Sequence, residues 1–307
     1  MNKDLKARIL SCIGGRYTVI SESVTEHGSR ISNIYAKGVF RHNGIKPLPG
    51  DIVYLREDES GYMISAVEQR KNAFVRPALA NLDILYIVLS CKTPEPSQIL
   101  TDKMTVICEN SDIKPVIIVT KSELDKEKAE EIKKLYISCG YDGFAVSSED
   151  NDGINELKAY IKGKKGTVSA FCGASGVGKS TLINALYPEL QLSCETGLIS
   201  KKTERGKNTT RAVTLYETDE NTFLADTPGF SLLDFEKFDF CTKEELPYLF
   251  PEFEPYLFKC KYTKCTHTKE DGCAIKKAVE ENKIRRERYA SFLSLYDDIK
   301  DKKEWEK

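Results

Sequence analysis

The stretch from Gly173 to Ser180, GASGVGKS, has the spacing G-x-x-x-x-G-K-[ST]. Its glycines let backbone N–H groups converge on a phosphate, and a helix opening here adds positive potential. Gly173, Ala174, Ser175, Gly176, Val177, Gly178 and Thr181 would line this cradle. Lys179 would reach the β- and γ-phosphates of a nucleoside triphosphate, and Ser180 would ligate Mg²⁺. The context suits the motif: the apolar run TVSAFCG leads in as a strand, and TLINAL leads out as a helix.

Fifty-three residues beyond Gly173, the apolar run ending at Asp226 continues into D-T-P-G. Asp226 at a strand tip suits a Mg²⁺ water shell, and the Gly229 amide would meet a γ-phosphate. Thr209 and Thr210 lie between the two motifs; Thr210 is the better placed to complete the Mg²⁺ shell when a triphosphate is bound. Phe230 follows Gly229, where Ras-like GTPases carry the glutamine that orients water, and Phe can do no such thing.

Guanine recognition requires an N/T-K-x-D segment after a sheet strand and a small-residue loop further on. Neither follows Asp226. Both precede the phosphate loop, as Thr120-Lys121-Ser122-Glu123 and Ser147-Ser148. The Glu123 carboxylate would accept from guanine N1 and N2, the Lys121 stem would cover the base, and the Ser147 and Ser148 amides would meet O6. The order base, base, phosphate, switch, switch is that of a circular permutation, tolerable because domain termini lie at the surface. Thr120-Lys121 and D-T-P-G argue against an ATPase or kinase. The intact Lys179, Ser180 and Asp226 set argues against an RNA-binding module whose nucleotide site is merely regulatory.

A second constellation is Cys260-x4-Cys265-x-His267-x5-Cys273. Three thiolates and one imidazole make a complete tetrahedral set with no open position, which points to one structural Zn²⁺ per chain. The other seven cysteines are scattered, several within apolar runs where a thiol is a small core filler. His27 and His42 sit near turns and are expected to be surface or structural residues.

The elements that must position these residues fall into three regions: 1–72, 73–235 and 236–307. The first alternates short β-rich segments (Tyr17 to Ser21, Ile31 to Phe40, Asp51 to Leu55, Tyr62 to Val67) with Gly and Pro turns. Five or so such strands suit a small closed barrel, an OB-fold or an SH3-like barrel. From residue 73 apolar strands alternate with helical stretches, the βαβ rhythm of a parallel sheet. The last region holds the Cys/His cluster and a long helical pattern from Ile275 to Ile299. The chain has 307 residues, 40% hydrophobic and 30% charged, with 46 basic and 47 acidic side chains, a globular balance that excludes disorder and a uniformly basic coat. Charge is uneven: residues 1–72 carry +3 and 257–307 carry +4, leaving −8 between them. These basic ends, with the island Lys201 to Arg211, raise the expectation of a polyanionic partner. No apolar run approaches the ~20 residues of a membrane helix, and the start lacks a signal-peptide core. A cytoplasmic protein with no membrane partner, acting as a monomer, is expected.

The permuted order, the series TKSE, SS, GASGVGKST, TTR and DTPGF, and the Cys/His cluster resemble the RsgA/YjeQ family of circularly permuted, small-ribosomal-subunit-dependent GTPases. The resemblance covers nearly the whole chain. It implies an N-terminal OB-fold that binds RNA, a circularly permuted α/β P-loop GTPase domain, and a C-terminal helical zinc-binding domain. It also implies hydrolysis of GTP to GDP, with Mg²⁺, coupled to late maturation of the small ribosomal subunit and contact with its rRNA. Two residues depart from the family pattern: Glu123 replaces an aspartate, and Asn208 stands where a histidine is expected. The barrel and a C-terminal basic set of Lys283, Arg285, Arg286 and Arg288 are expected to meet rRNA phosphates. Slow hydrolysis alone and fast hydrolysis on the subunit are expected as well.

Overall fold

Strand-forming residues with alternating burial build the N-terminal region in a computed structural model. The structure describes residues 4–25, 28–37, 40, 46–58, 61–75, 77–190, 213–226 and 241–301. Thr210, Gly229, Asn208, Phe230, His27, His42 and the basic island lie outside these residues.

Five strands, β1 (Leu5–Ile13), β2 (Arg16–Thr25), β3 (Gly28–Ala36), β4 (Ile52–Asp58) and β5 (Gly61–Val67), follow one another in the chain. They pair in the order β1-β2-β3-β5-β4, and β4 returns to β1 to close the ring. The β3–β5 pair is parallel and the others antiparallel. This closed five-stranded order is the OB-fold and excludes the SH3-like alternative. Inward positions Ala7, Ile9, Val19, Ile34, Val53, Leu55 and Ile64 form its core. Strand β1 was not among the segments expected from sequence. Ile9 and Leu10 are both buried at a register shift, which breaks the alternation that would mark a strand.

The chain forms two compact units. One contains Met1–Ile84, Tyr160–Phe171 and Leu186–Phe230. Besides the barrel it holds a small ribbon, β6 (Ala73–Val75) with β7 (Ala78–Ala80), and the antiparallel pair β12 (Thr214–Asp219) and β13 (Thr222–Asp226). Strand β12 joins β1 at Thr214 and Ser11, so barrel and sheet are continuous here.

The other unit contains Leu85–Ala159, Cys172–Ala185 and Ser231–Lys307. Most of β8 (Ile84–Ser90), β9 (Lys114–Thr120) and β10 (Asp142–Ala145) lie side by side in it in the order β10-β9-β8, with β9 and β10 parallel. β8 is buried at every position and β9 at all but Lys114, the continuous apolar reading of a sheet covered on both faces. Helix α1 (Gln98–Asn110) links β8 to β9, α2 (Lys126–Ser138) links β9 to β10, and α3 (Ile154–Lys162) follows β10. Asp125 caps α2 by accepting from the Lys128 N–H at 3.1 Å, a contact typically worth about 1 kcal/mol. Strand β11 (Val168–Gly173) then leads into α4 (Lys179–Leu186).

The helical pattern expected from Ile275 to Ile299 is two helices, α5 (Ala274–Glu280) and α6 (Arg286–Ile299). Asn282 adopts φ +56° after α5. The Asn282 N–H bonds Val279 O and the Lys283 N–H bonds Ala278 O, a Schellman closure with asparagine in the left-handed position. The next turn, Arg285, sets α6 off with Arg288, Phe292, Leu295 and Ile299 on its buried face.

Arg288 corrects the expected rRNA-binding set. Its side chain is fully buried, donating to Asp102 Oδ1 at 2.7 Å, Glu252 Oε1 at 2.6 Å and Thr105 Oγ1 at 3.2 Å. Phe250 lies 4.7 Å from the guanidinium. Burial opposes this charge, but Asp102 and Glu252 outweigh it and hold the guanidinium well above its usual range. Arg288 therefore fastens α6 to α1 and offers nothing to a phosphate. Lys283, Arg285 and Arg286 are exposed, with Lys283 paired to Glu281 at 2.7 Å.

Candidate nucleotide and metal sites

Strand β11 ends at Gly173, where the backbone passes so close to β8 that a Cβ would sit 2.4 Å from Val88 O. Only glycine fits there. Val177 is buried beneath the loop, and Gly178 turns it into α4 with φ +90°. The Leu182 N–H bonds Gly178 O, so the helix starts at the end of the loop with its first amides directed back along it. Lys179 Nζ lies 3.4 Å from Gly173 O, across the mouth of the cradle. Ser180 is half-buried on the first turn and Thr181 exposed. Behind the loop, burial pushes the Cys172 thiol up to about 12. It stays neutral and acts as filler, as do buried Cys91, Cys108 and Cys139.

The upstream segment Thr120-Lys121-Ser122-Glu123 is brought onto this loop. Thr120 Oγ1, on the last residue of β9, hydrogen-bonds Val177 O and faces Leu89 O at 3.2 Å. The chain then turns at Lys121, φ +57°, into a short 3-10 turn over Ser122–Leu124. That turn sends the lysine back across the phosphate loop, where Nζ donates to Gly176 O at 2.8 Å and to Thr93 O at 2.6 Å. Ser122 is buried, its N–H on Val146 O at 3.2 Å. Glu123 Oε2 is buried and has no hydrogen-bond partner among the described residues. A buried carboxylate oxygen left unpaired is costly unless a ligand completes it.

The small-residue loop lies beside this turn. The Val146 N–H bonds Val119 O at 2.8 Å, continuing the β9–β10 pairing. The Ser147 N–H is engaged by Asp152 O at 3.0 Å, and Ser147 Oγ accepts from the Asp150 N–H at 3.1 Å. The Ser147 amide is thus spent within its own loop, contrary to the expectation that it would face O6. Asp226 ends β13, its register partner Thr214 on β12. Sequence reasoning missed Thr93, Asp102 and Glu252. Thr93 contributes only a carbonyl, and the carboxylate partners lie 186 and 36 residues from Arg288, so no local spacing signals them.

The four metal-type residues converge, with all ligand atoms within 4.8 Å of one another. His267 Nδ1 is 3.5 Å from both Cys260 Sγ and Cys273 Sγ, and these two sulfurs are 3.9 Å apart. Zn–S of ~2.3 Å and Zn–N of ~2.0 Å in a tetrahedron require edges of roughly 3.6 and 3.8 Å, so the donor set fits the ion. His267 adopts φ +61°, and its carbonyl accepts from Tyr289 Oη at 2.8 Å. Burial holds its imidazole below the usual range, in the neutral form that binds metal. The Ala274 N–H donates to Cys260 Sγ at 3.3 Å, and Glu270 gathers the intervening loop through the Thr266 N–H at 2.8 Å and Thr266 Oγ1 at 2.6 Å.

Comparison with known proteins agrees with this geometry. The RsgA GTPase family matches residues 67–236. Small ribosomal subunit biogenesis GTPase RsgA of Clostridium beijerinckii is 37% identical over 304 residues, covering 98% of this chain and 100% of that protein. The Bacillus subtilis protein of the same name is 37% identical over 305 residues, 97% of this chain and 98% of its own. Among solved structures, YjeQ from Thermotoga maritima superposes with a TM-score of 0.79 at 31% identity, covering 98% of this chain and all of that one. YloQ, described as a circularly permuted GTPase, gives 0.78 at 32% identity, covering 98% and 97%. With the base-type segment held against a phosphate loop that follows it in sequence, and with relatives matched end to end, the chain belongs to the RsgA GTPase family and has its circularly permuted GTPase fold.

Proposed function

We propose that the chain hydrolyses GTP to GDP and phosphate, and that it acts in late maturation of the small ribosomal subunit, which accelerates the reaction. The observation that carries this is the bond from Lys121 Nζ to Gly176 O, beside a buried and unpartnered Glu123 Oε2. Together they make one guanine-nucleotide site from segments 55 residues apart. The names of the relatives support the ribosomal assignment.

Within that site the chain's own residues divide the work. Glu123 accepts from guanine N1 and N2, the Ser148 amide meets O6, and the Lys121 stem covers the base while its ammonium is tied to the loop. Amides of the Gly173–Thr181 stretch hold the phosphates, and Lys179 exchanges its contact with Gly173 O for the β,γ-oxygens, stabilising charge as it develops. Ser180, Thr210 and Asp226 would hold Mg²⁺, which would supply positive charge to the phosphates, and the Gly229 amide would contact the γ-phosphate. Cys260, Cys265, His267 and Cys273 hold one structural Zn²⁺. We retain regions 1–72, 73–235 and 236–307 as RNA-binding, GTPase and zinc-binding parts of a cytoplasmic monomer. The barrel and exposed Lys283, Arg285 and Arg286 are the phosphate-contacting surfaces.

No glutamine follows Gly229, because Phe230 stands there, so the isolated protein lacks the usual group that orients the attacking water. Turnover measured alone, with small subunits, with large subunits and with free rRNA tests the proposal. Slow basal turnover raised strongly by small subunits alone is expected; equal rates in every condition would refute the partner and the coupling.

A further inference from the structure

The residues beside the Cys/His cluster are not explained by metal binding. Phe258 is 86% exposed and adopts φ +62°, a backbone region that bulky side chains seldom enter. The exposure is built rather than frayed. On one side the Leu257 N–H bonds Phe253 O at 3.2 Å; on the other the Lys259 N–H bonds Tyr256 O at 3.3 Å, and Cys260 follows in the ligand set. Tyr248, also exposed, has its ring centroid 6.0 Å from that of Phe258. Tyr262 is exposed too, with Lys261 Nζ 5.3 Å over its ring. These three aromatics, with Lys243 and Lys264, line a cavity of about 600 Å³ whose floor also takes in Cys260, Cys265 and His267 of the ligand set, within the ~300–1,000 Å³ of small-molecule sites.

Charge defines the occupant. Residues 257–264, LFKCKYTK, carry three lysines and no acid, and among the described residues Glu244 is the one acid in the lining. Aromatics alternating with lysines offer a π-face to a base and an ammonium to the phosphate beside it, the pairing used by single-strand nucleic-acid platforms. We infer that Phe258, Tyr248 and Tyr262 form a stacking site for an unpaired base of RNA, presented by the metal-stapled loop. This rests on the proposed function only in taking the RNA to be that of the small subunit.

The test uses the full-length chain and a labelled single-stranded RNA of roughly ten nucleotides, the length one single-strand module covers, beside a duplex of equal length. Phe258→Ala is expected to weaken single-strand binding about tenfold or more, as loss of one stacked base does. Phe258→Trp is expected to restore it, with its added fluorescence quenched by the RNA. Metal content, basal turnover and duplex affinity should not change in either variant. Wild-type affinity in Phe258→Ala, or no binding of the oligomer by the wild-type chain, would overturn the inference. So would a Phe258→Ala variant that loses subunit affinity but keeps the oligomer, since the patch would then dock a ribosomal protein. Oligomer results as expected, from a wild-type chain that does not bind small subunits, would support the stacking site and refute the proposed partner.

Discussion

The nucleotide cradle and the Cys/His loop are both precise sites, built in opposite ways. In the loop, side chains do the positioning: four ligands within 14 residues gather around one point, and a short peptide that cannot bury much of itself is fixed by a cation. In the cradle, the backbone does it. Carbonyls of Thr93 and Gly176 hold Lys121, Val88 presses against Gly173, and Val177 receives Thr120. Local side-chain sites depend on one cofactor and fail as a unit. A cradle wired from distant strands depends on the packing of the whole sheet and should tolerate the loss of any one functional side chain without unfolding.

That contrast predicts different failures. Cys265→Ser should have the largest effect, because structural zinc sites draw about 10–16 kcal/mol from the metal. Metal analysis should fall from about one ion per chain toward none, and hydrogen exchange should rise over residues 257–275, while nucleotide binding persists. A variant that keeps its metal would separate Cys265 from the ligand set.

Arg288→Met extends the contrast to a clasp with no cofactor. It leaves Asp102 and Glu252 buried without a counter-charge, so denaturant unfolding should show a loss of about 3–5 kcal/mol. Combining it with Asp102→Asn and Glu252→Gln should recover part of that loss. If the single variant is as stable as the wild type, the buried guanidinium is not what holds α6 in place.

Lys179→Ala should do the reverse of both. Turnover should fall by roughly 10²–10³-fold, the size of losing one preorganised donor to developing charge, with the melting temperature unchanged. An unfolded variant would mean that the lysine belongs to the frame rather than to the chemistry.

The same difference explains what was legible in the sequence. Cys260, Cys265, His267 and Cys273 lie close in sequence, so the clustering of three cysteines around one histidine marked them, and the phosphate loop was marked by its glycines. The βαβ rhythm marked a parallel sheet with helices between its strands, and α1, α2 and α3 follow β8, β9 and β10 in that alternation. Strand β1 escaped because its bulge buries two neighbours in succession. The break between α5 and α6 escaped although Asn282 is a proper left-handed terminator, since the apolar period resumes beyond it. Arg288 was misread for a deeper reason: a run of basic residues looks solvated in one dimension, and the acids that bury one of them come from helix α1 and the turn at Glu252. The engagement of the Ser147 amide by Asp152 is likewise a loop contact that residue types do not encode.

The most direct measurement is binding of GTP and ATP to the wild-type chain and to Glu123→Gln. Glu123 Oε2 is a buried acceptor without a hydrogen-bond partner among the described residues, and a hydrogen bond to a charged group is worth about 1.5–3 kcal/mol. The wild-type chain should prefer GTP clearly, and Glu123→Gln should lose roughly 10- to 100-fold in GTP affinity with weak ATP binding unchanged. Equal binding of GTP and ATP by the wild type, or full GTP affinity in Glu123→Gln, would contradict a guanine site assembled from segments upstream of the phosphate loop.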